Sequence, residues 1–185
     1  MSELKERLDH LKQDMQTEEF LEGRGLSNEV NIRIFCYAPE EEMIVRHFVE
    51  QLAVDQSLEC RLIQRNLYRI FLEICDEKRI TKSVPSMEEK KGKEYLIQQI
   101  ERFANNKTFV NKMQYEPHRA GDILMITGVG EVFPFMRIHS LLEAMQPEFS
   151  DIPIVVFYPG KYDGRFVRLF DRMEPNPYYR AFNII

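Results

Sequence analysis

No stretch of the 185-residue chain reaches the roughly 18 consecutive apolar residues of a membrane span. Its opening run, Met1 to Arg7, is charged and leads into nothing like the apolar core of a secretion signal. These two absences lead to the expectation of a cytoplasmic protein without membrane association. Cysteine is scarce: Cys36, Cys60 and Cys75 are an odd number and form no CxxC, so buried thiols in a reducing compartment are expected. A structural zinc site needs about four Cys/His ligands in close pairs, and His10, His47, His118 and His139 form none. The phosphate-cradling GxxxxGK[ST] is missing, and so is the GxSxG elbow of hydrolases. Ser140 falls within an expected helix and Ser150 in a turn. No metal, no cofactor and no catalytic residue is expected.

What is present is ordinary for a globular protein: 44% apolar and 30% charged residues, enough to build a sizeable core. The length suits one domain over 1–185. The net charge of −5 gives no overall attraction to nucleic acid. The charge is uneven, however. Residues 1–30 hold eight acids against four bases, and residues 78–112 hold nine bases against four acids. A solvated helical face explains the basic run, and any nucleic-acid contact there is expected to be weak or indirect.

Periodicity orders the elements. Leu4, Leu8, Leu11 and Met15 fall at helical spacing, which predicts peripheral N-terminal helices within 1–25. Ile32, Ile34 and Cys36 mark a first strand over 31–37. Pro39 then opens a helix whose apolar face is Ile44, Val45, Phe48, Val49 and Leu52. A second strand spans 59–64, and Asn66 caps a helix with Leu67, Ile70, Phe71 and Ile74 on one side. From 76 to 120 the chain reads as a polar helical insertion, weakened at Gly92. Asp122–Thr127 and 152–157 are apolar on both faces, as central parallel strands are. Between them a helix is expected from Phe133 to Met145, with Pro134 in its first turn. After them come a turn-rich loop over Tyr158–Gly164 and short strands at 165–170 and 179–185. Strands alternating with helices predict an α/β fold: a mostly parallel central sheet flanked by helices, Rossmann-like without a P-loop, with a helical insertion between strands two and three.

In such sheets ligands bind beyond the carboxyl ends of the strands. Those ends are Tyr37–Pro39, Gln64–Asn66, Thr127–Gly130 and the Tyr158–Gly164 loop. Gly128 and Gly130 suit close backbone approach, but the third glycine of a dinucleotide fingerprint is replaced by Phe133, and Glu131 would repel a phosphate. Lys161, Asp163 and Glu131 could be assembled into a nuclease-like set, without a clear motif match. His139 flanks the apolar face of its helix. Arg137 either meets an anion or pairs with Glu131 or Asp163. Tyr162-Asp163-Gly164 reads as a tight turn, and Tyr178 to Phe182 as a closing strand or a partner-binding edge.

Five segments carry a resemblance. Thr127 to His139 (TGVGEVFPFMRIH), Pro153 to Gly164 (PIVVFYPGKYDG) and Asn176 to Phe182 (NPYYRAF) stand in order, with similar stretches at Leu4–His10 and Ile34–Glu40. Together they resemble the BrxB family of bacteriophage-exclusion (BREX) systems over nearly the whole chain. The resemblance implies a small component of an antiphage system that modifies host DNA and blocks phage replication, alongside a methyltransferase, a large ATPase and a PglZ-type alkaline-phosphatase-like protein. It implies no catalytic residues. The expected role is a non-enzymatic adaptor that binds the PglZ-type protein. Candidate partner- or ligand-binding residues are Gly128, Gly130, Arg137, His139, Tyr158, Lys161, Tyr162, Asp163 and Arg165. The alternative is a degenerate nucleotide-binding or nuclease-like domain with its ligand at the strand ends.

Overall fold

A computed structural model of the chain describes residues 3–23, 31–163, 166–173 and 183–184. Helices α1 (Glu3–Asp14) and α2 (Glu18–Glu22) precede strand β1 (Ile32–Tyr37). A 3-10 turn at Pro39–Glu41 leads into α3 (Glu42–Val54), and β2 (Arg61–Asn66) follows. Then come α4 (Leu67–Glu77), α5 (Val84–Lys91), α6 (Lys93–Glu101) and α7 (Asn106–Met113). Strand β3 (Asp122–Thr127) is followed by α8 (Val129–Val132), α9 (Ile138–Met145), β4 (Ile154–Tyr162), β5 (Val167–Leu169) and β6 (Asn183–Ile184).

The strands form one sheet in the order β2-β3-β4-β1-β6, all parallel, with β5 antiparallel to the far end of β4. This is the expected α/β architecture, with a helical crossover between the second and third strands. The chain leaves β1, passes β4 and β3, and starts β2 at the sheet's edge.

Alternation along the strands divides the core in two. Ile34, Leu124, Ile126, Ile154 and Val156 face α4 and α6–α9. Phe35, Ile123, Met125, Val155 and Phe157 face α1–α3. The N-terminal helices are therefore one cover of the sheet rather than an appendage: Leu4, Leu8, Leu11, Met15 and Phe20 are all buried. Arg7 fixes α1 in place, donating to the Cys36 carbonyl at 2.6 Å with its guanidinium over the Phe35 ring. The segment after α4 likewise belongs to the core, since Leu96, Ile100, Phe109, Val110 and Met113 are buried against the other face.

At the amino end of the sheet, buried Asp122 accepts two hydrogen bonds from Arg61 (2.6 and 2.5 Å), one from the Tyr115 hydroxyl (2.9 Å) and one from the Arg119 amide (2.9 Å). The three thiols are free and buried, and burial raises their pKa, that of Cys36 to about 12 and that of Cys75 to about 11.

Several local expectations need correction. The helix placed at 133–145 begins only at Ile138, as α9, and a short helix, α8, stands before the expected start at Val129–Val132. Phe133 precedes a proline and is held extended (φ −65°, ψ 137°), so α8 ends before it and α9 starts only at Ile138. Pro134 thus lies between helices. Gly92, at φ +83°, separates α5 from α6 instead of weakening one helix. Second, the loop expected at Tyr158–Gly164 is strand as far as Tyr162, because β5 pairs with it: Gly160 opposes Leu169 and Tyr162 opposes Val167. A Cβ on Gly160 would lie 2.0 Å from the Arg168 carbonyl oxygen, so glycine is what lets the two strands meet. Third, Ile44 is 52% exposed, since the buried arc of α3 centres on Val45, Val49 and Leu52. Of the last expected strand, Asn183–Ile184 pair with β1, and 179–182 lie outside the described residues.

Candidate functional site

The parallel register brings the strand ends to one edge. Asn66 stands beside Thr127, and Cys36 beside Tyr158. On the α3 side of this edge is a crevice of about 170 Å³, floored by Val45, Val49 and Phe157. Four of its polar groups, Tyr37, Glu42, Arg46 and Glu131, bind one another. The Tyr37 hydroxyl donates to Glu42 at 2.5 Å, Arg46 reaches Glu42 at 3.3 Å, and Arg46 also pairs with Glu131 at 3.1 Å. Burial, reinforced by the bond to Glu42, pushes the Tyr37 phenol well above its usual pKa. The bond to Glu42 likewise raises Arg46. Around the rim three carboxylates, Glu42, Glu50 and Glu131, face two cations, Arg46 and Arg69. That balance disfavours a phosphate.

Asn66 is committed to α4, accepting from the Arg69 amide at 2.9 Å as the cap its position predicts. Gly128 sits at φ +74°, and a Cβ there would be 2.8 Å from the Asn66 side chain. Gly130 faces Phe170 and Pro159, which a Cβ would meet at 2.8 and 3.0 Å. Both glycines therefore serve close contacts within the chain. The Thr127 hydroxyl beside them is buried and has no hydrogen-bond partner among the described residues.

Through the sheet, on the opposite face, lies a second cavity of about 260 Å³ between α8–α9 and the β4–β5 pair. Here the fold brings together three of the candidates, Arg137, His139 and Tyr158. Arg137 precedes α9 with an exposed side chain. The pairing expected with Glu131 or Asp163 does not form, because Glu131 binds Arg46 and Asp163 lies 3.6 Å from Arg168. Burial lowers the pKa of His139, against the opposing pull of Glu143.

The remaining candidates lie elsewhere. Lys161 pairs with Asp171 at 3.3 Å and, with half-exposed Tyr162, borders a shallow depression beside Arg7 and Cys36. Asp163 accepts a hydrogen bond from the Phe166 amide at 2.7 Å. Gly164 and Arg165 are outside the described residues. Lys161, Asp163 and Glu131, the nuclease-like set, each have a different partner. Among the described residues no group of three or more His, Cys, Asp or Glu is placed to hold a metal, and no helix is long and apolar enough to cross a membrane.

Sequence reasoning missed the Tyr37–Glu42–Arg46–Glu131 network. The signal was there in part: Glu42 and Arg46 are four apart on a helix leaving the first strand, the spacing of a helical ion pair.

A family model described as BREX protein BrxB matches residues 63–184 of this chain. A protein of that description from Bacillus cereus (strain H3081.97) is 35% identical over 192 residues, covering 100% of this chain and 99% of its own length. Another, from Escherichia coli O9:H4 (strain HS), is 27% identical over 183 residues, covering 98% of this chain and 92% of its own length. No solved structure matches the chain.

Proposed function

The chain belongs to the BrxB family of BREX proteins, and on that premise we propose that it is a non-enzymatic adaptor subunit of a BREX antiphage complex. Its partner in this reading is the PglZ-type alkaline-phosphatase-like component, and its role is to support host DNA methylation and phage exclusion. One observation favours the adaptor over a ligand-binding domain. The carboxyl edge of the sheet, where an open parallel sheet holds its ligand, is crossed by the chain's own contacts from Arg46 to Glu42 and Glu131. Arg137 and Lys161 are both exposed at the same end of the fold, available to a macromolecular partner.

The test is co-purification with each co-encoded BREX component, followed by sizing in physiological salt. A stoichiometric complex with the PglZ-type protein is expected, weakened without unfolding by Arg137→Ala or by charge reversal at Lys161 and Arg165. The absence of any complex would refute the adaptor reading. Variants that keep full binding and full phage restriction would place the interface elsewhere.

A further inference from the structure

The cavity behind β4 combines two features. Its walls are apolar, built from Val129, Met136, Val167, Leu169 and Met173. At its lining stands a single arginine, Arg137, exposed and without an ion pair among the described residues. Burial lowers the pKa of His139, so at neutral pH Arg137 is the lasting positive charge of this lining. Glu143, one turn further along α9, acts on His139 and is not part of the lining.

We propose that this cavity is an anchor site for a partner protein segment that presents one large apolar side chain next to a carboxylate. Size supports a side chain over a cofactor: about 260 Å³ falls below the roughly 300–1,000 Å³ of drug-sized ligand sites. An apolar group seated in a preformed pocket is also the usual energetic centre of a protein interface. Charge then selects the sequence around the anchor, since a carboxylate pairs with Arg137 and a lysine is repelled. The identity of the partner as the PglZ-type component rests on the adaptor reading; the chemistry of the anchor does not.

The experiment uses the full chain with its methionine methyl groups labelled for NMR. Three short synthetic peptides are titrated: a phenylalanine flanked by glutamates, the same residue flanked by lysines, and an alanine flanked by glutamates. Met136 and Met173 report on the cavity, and Met15 and Met125, buried on the other face of the sheet, are internal controls. The glutamate-flanked phenylalanine is expected to shift Met136 and Met173 alone. It should bind about fivefold or more tightly than the lysine-flanked peptide, and Arg137→Glu should reverse that order. Unmoved cavity methyls, equal affinity for both flanks, or equal affinity for the alanine peptide would each overturn the proposal. Co-purification with the PglZ-type component is run beside it. Cavity binding without that complex would refute the adaptor reading alone, and the complex without cavity binding would refute the anchor alone.

Discussion

Replacing Asp122 by alanine should be among the costlier single changes in this protein. Its carboxylate side chain is fully buried, whereas its partner Arg61 is 42% exposed. The hydrogen bonds from Arg61, with those from the Arg119 amide and the Tyr115 hydroxyl, hold the carboxyl pKa at about 2 instead of 3.8, in spite of burial. A shift of that size is about 2 kcal/mol of stability at neutral pH. Alanine also leaves the Tyr115 hydroxyl and the Arg119 amide without their acceptor, while Arg61 can turn to water. The total loss is about 3 kcal/mol, which lowers the melting temperature by roughly 6–12 °C for a chain of this size. Urea denaturation at a series of pH values checks the reasoning. Because the folded pKa lies below the unfolded one, the contribution is complete above about pH 4 and fades as the pH falls toward 2. The gap between wild type and Asp122→Ala should therefore narrow in acid, from about 3 to about 1 kcal/mol. A loss under about 1 kcal/mol at pH 7, or a gap that stays constant into acid, would refute the account.

Gly160→Ala should also destabilise, by about 2 kcal/mol, because the new methyl would strike the Arg168 carbonyl, which cannot move without breaking the β4–β5 pairing; unchanged stability in urea would contradict that pairing. ATP, GTP and NAD, each with and without magnesium, should leave the melting temperature unchanged, because acidic groups ring the crevice. A ligand at a hundred times its Kd would add about 2.7 kcal/mol of stability, so a clear rise would favour the nucleotide-binding alternative.

The parts of the fold legible in the sequence are those set by local pattern. Ile123–Ile126 and Ile154–Phe157 are uniformly apolar because both faces of the sheet are covered, and Asn66 announces its helix because a short polar side chain caps there. What stayed hidden depends on contacts distant in sequence. Pro159 and Gly160 read as a turn, yet pairing with Val167–Leu169 keeps them extended. Ile44 matches the apolar stripe in composition, yet the buried arc of α3 centres on Val45, Val49 and Leu52 and leaves it outside. Of the candidate residues, Arg137, His139 and Tyr158 do converge. The glycines read as places for a ligand instead admit Asn66, Phe170 and Pro159 from the chain itself. Spacing alone does not distinguish a glycine that admits a ligand from one that admits a neighbour.

The strand order explains why the crevice and the cavity are separate sites. The connection from β1 to β2 runs over one face of the sheet through α3, and those from β2 to β3 and from β3 to β4 run over the other. Space at the carboxyl edge is divided by β4 itself. Phe157 floors the crevice, and Tyr158, the next residue, points through to the cavity, as successive strand residues must. The crevice is bounded by α3 and held by its own ion pairs. The cavity is bounded by α9 and a three-residue strand, and its arginine has no ion pair among the described residues. An incoming carboxylate at the crevice meets three acids, and to pair with Arg46 it must displace Glu42 or Glu131. At Arg137 it displaces no carboxylate of the described residues. On the proposed adaptor reading, the lower cost of the second exchange favours the β4–β5 side for an acidic partner segment.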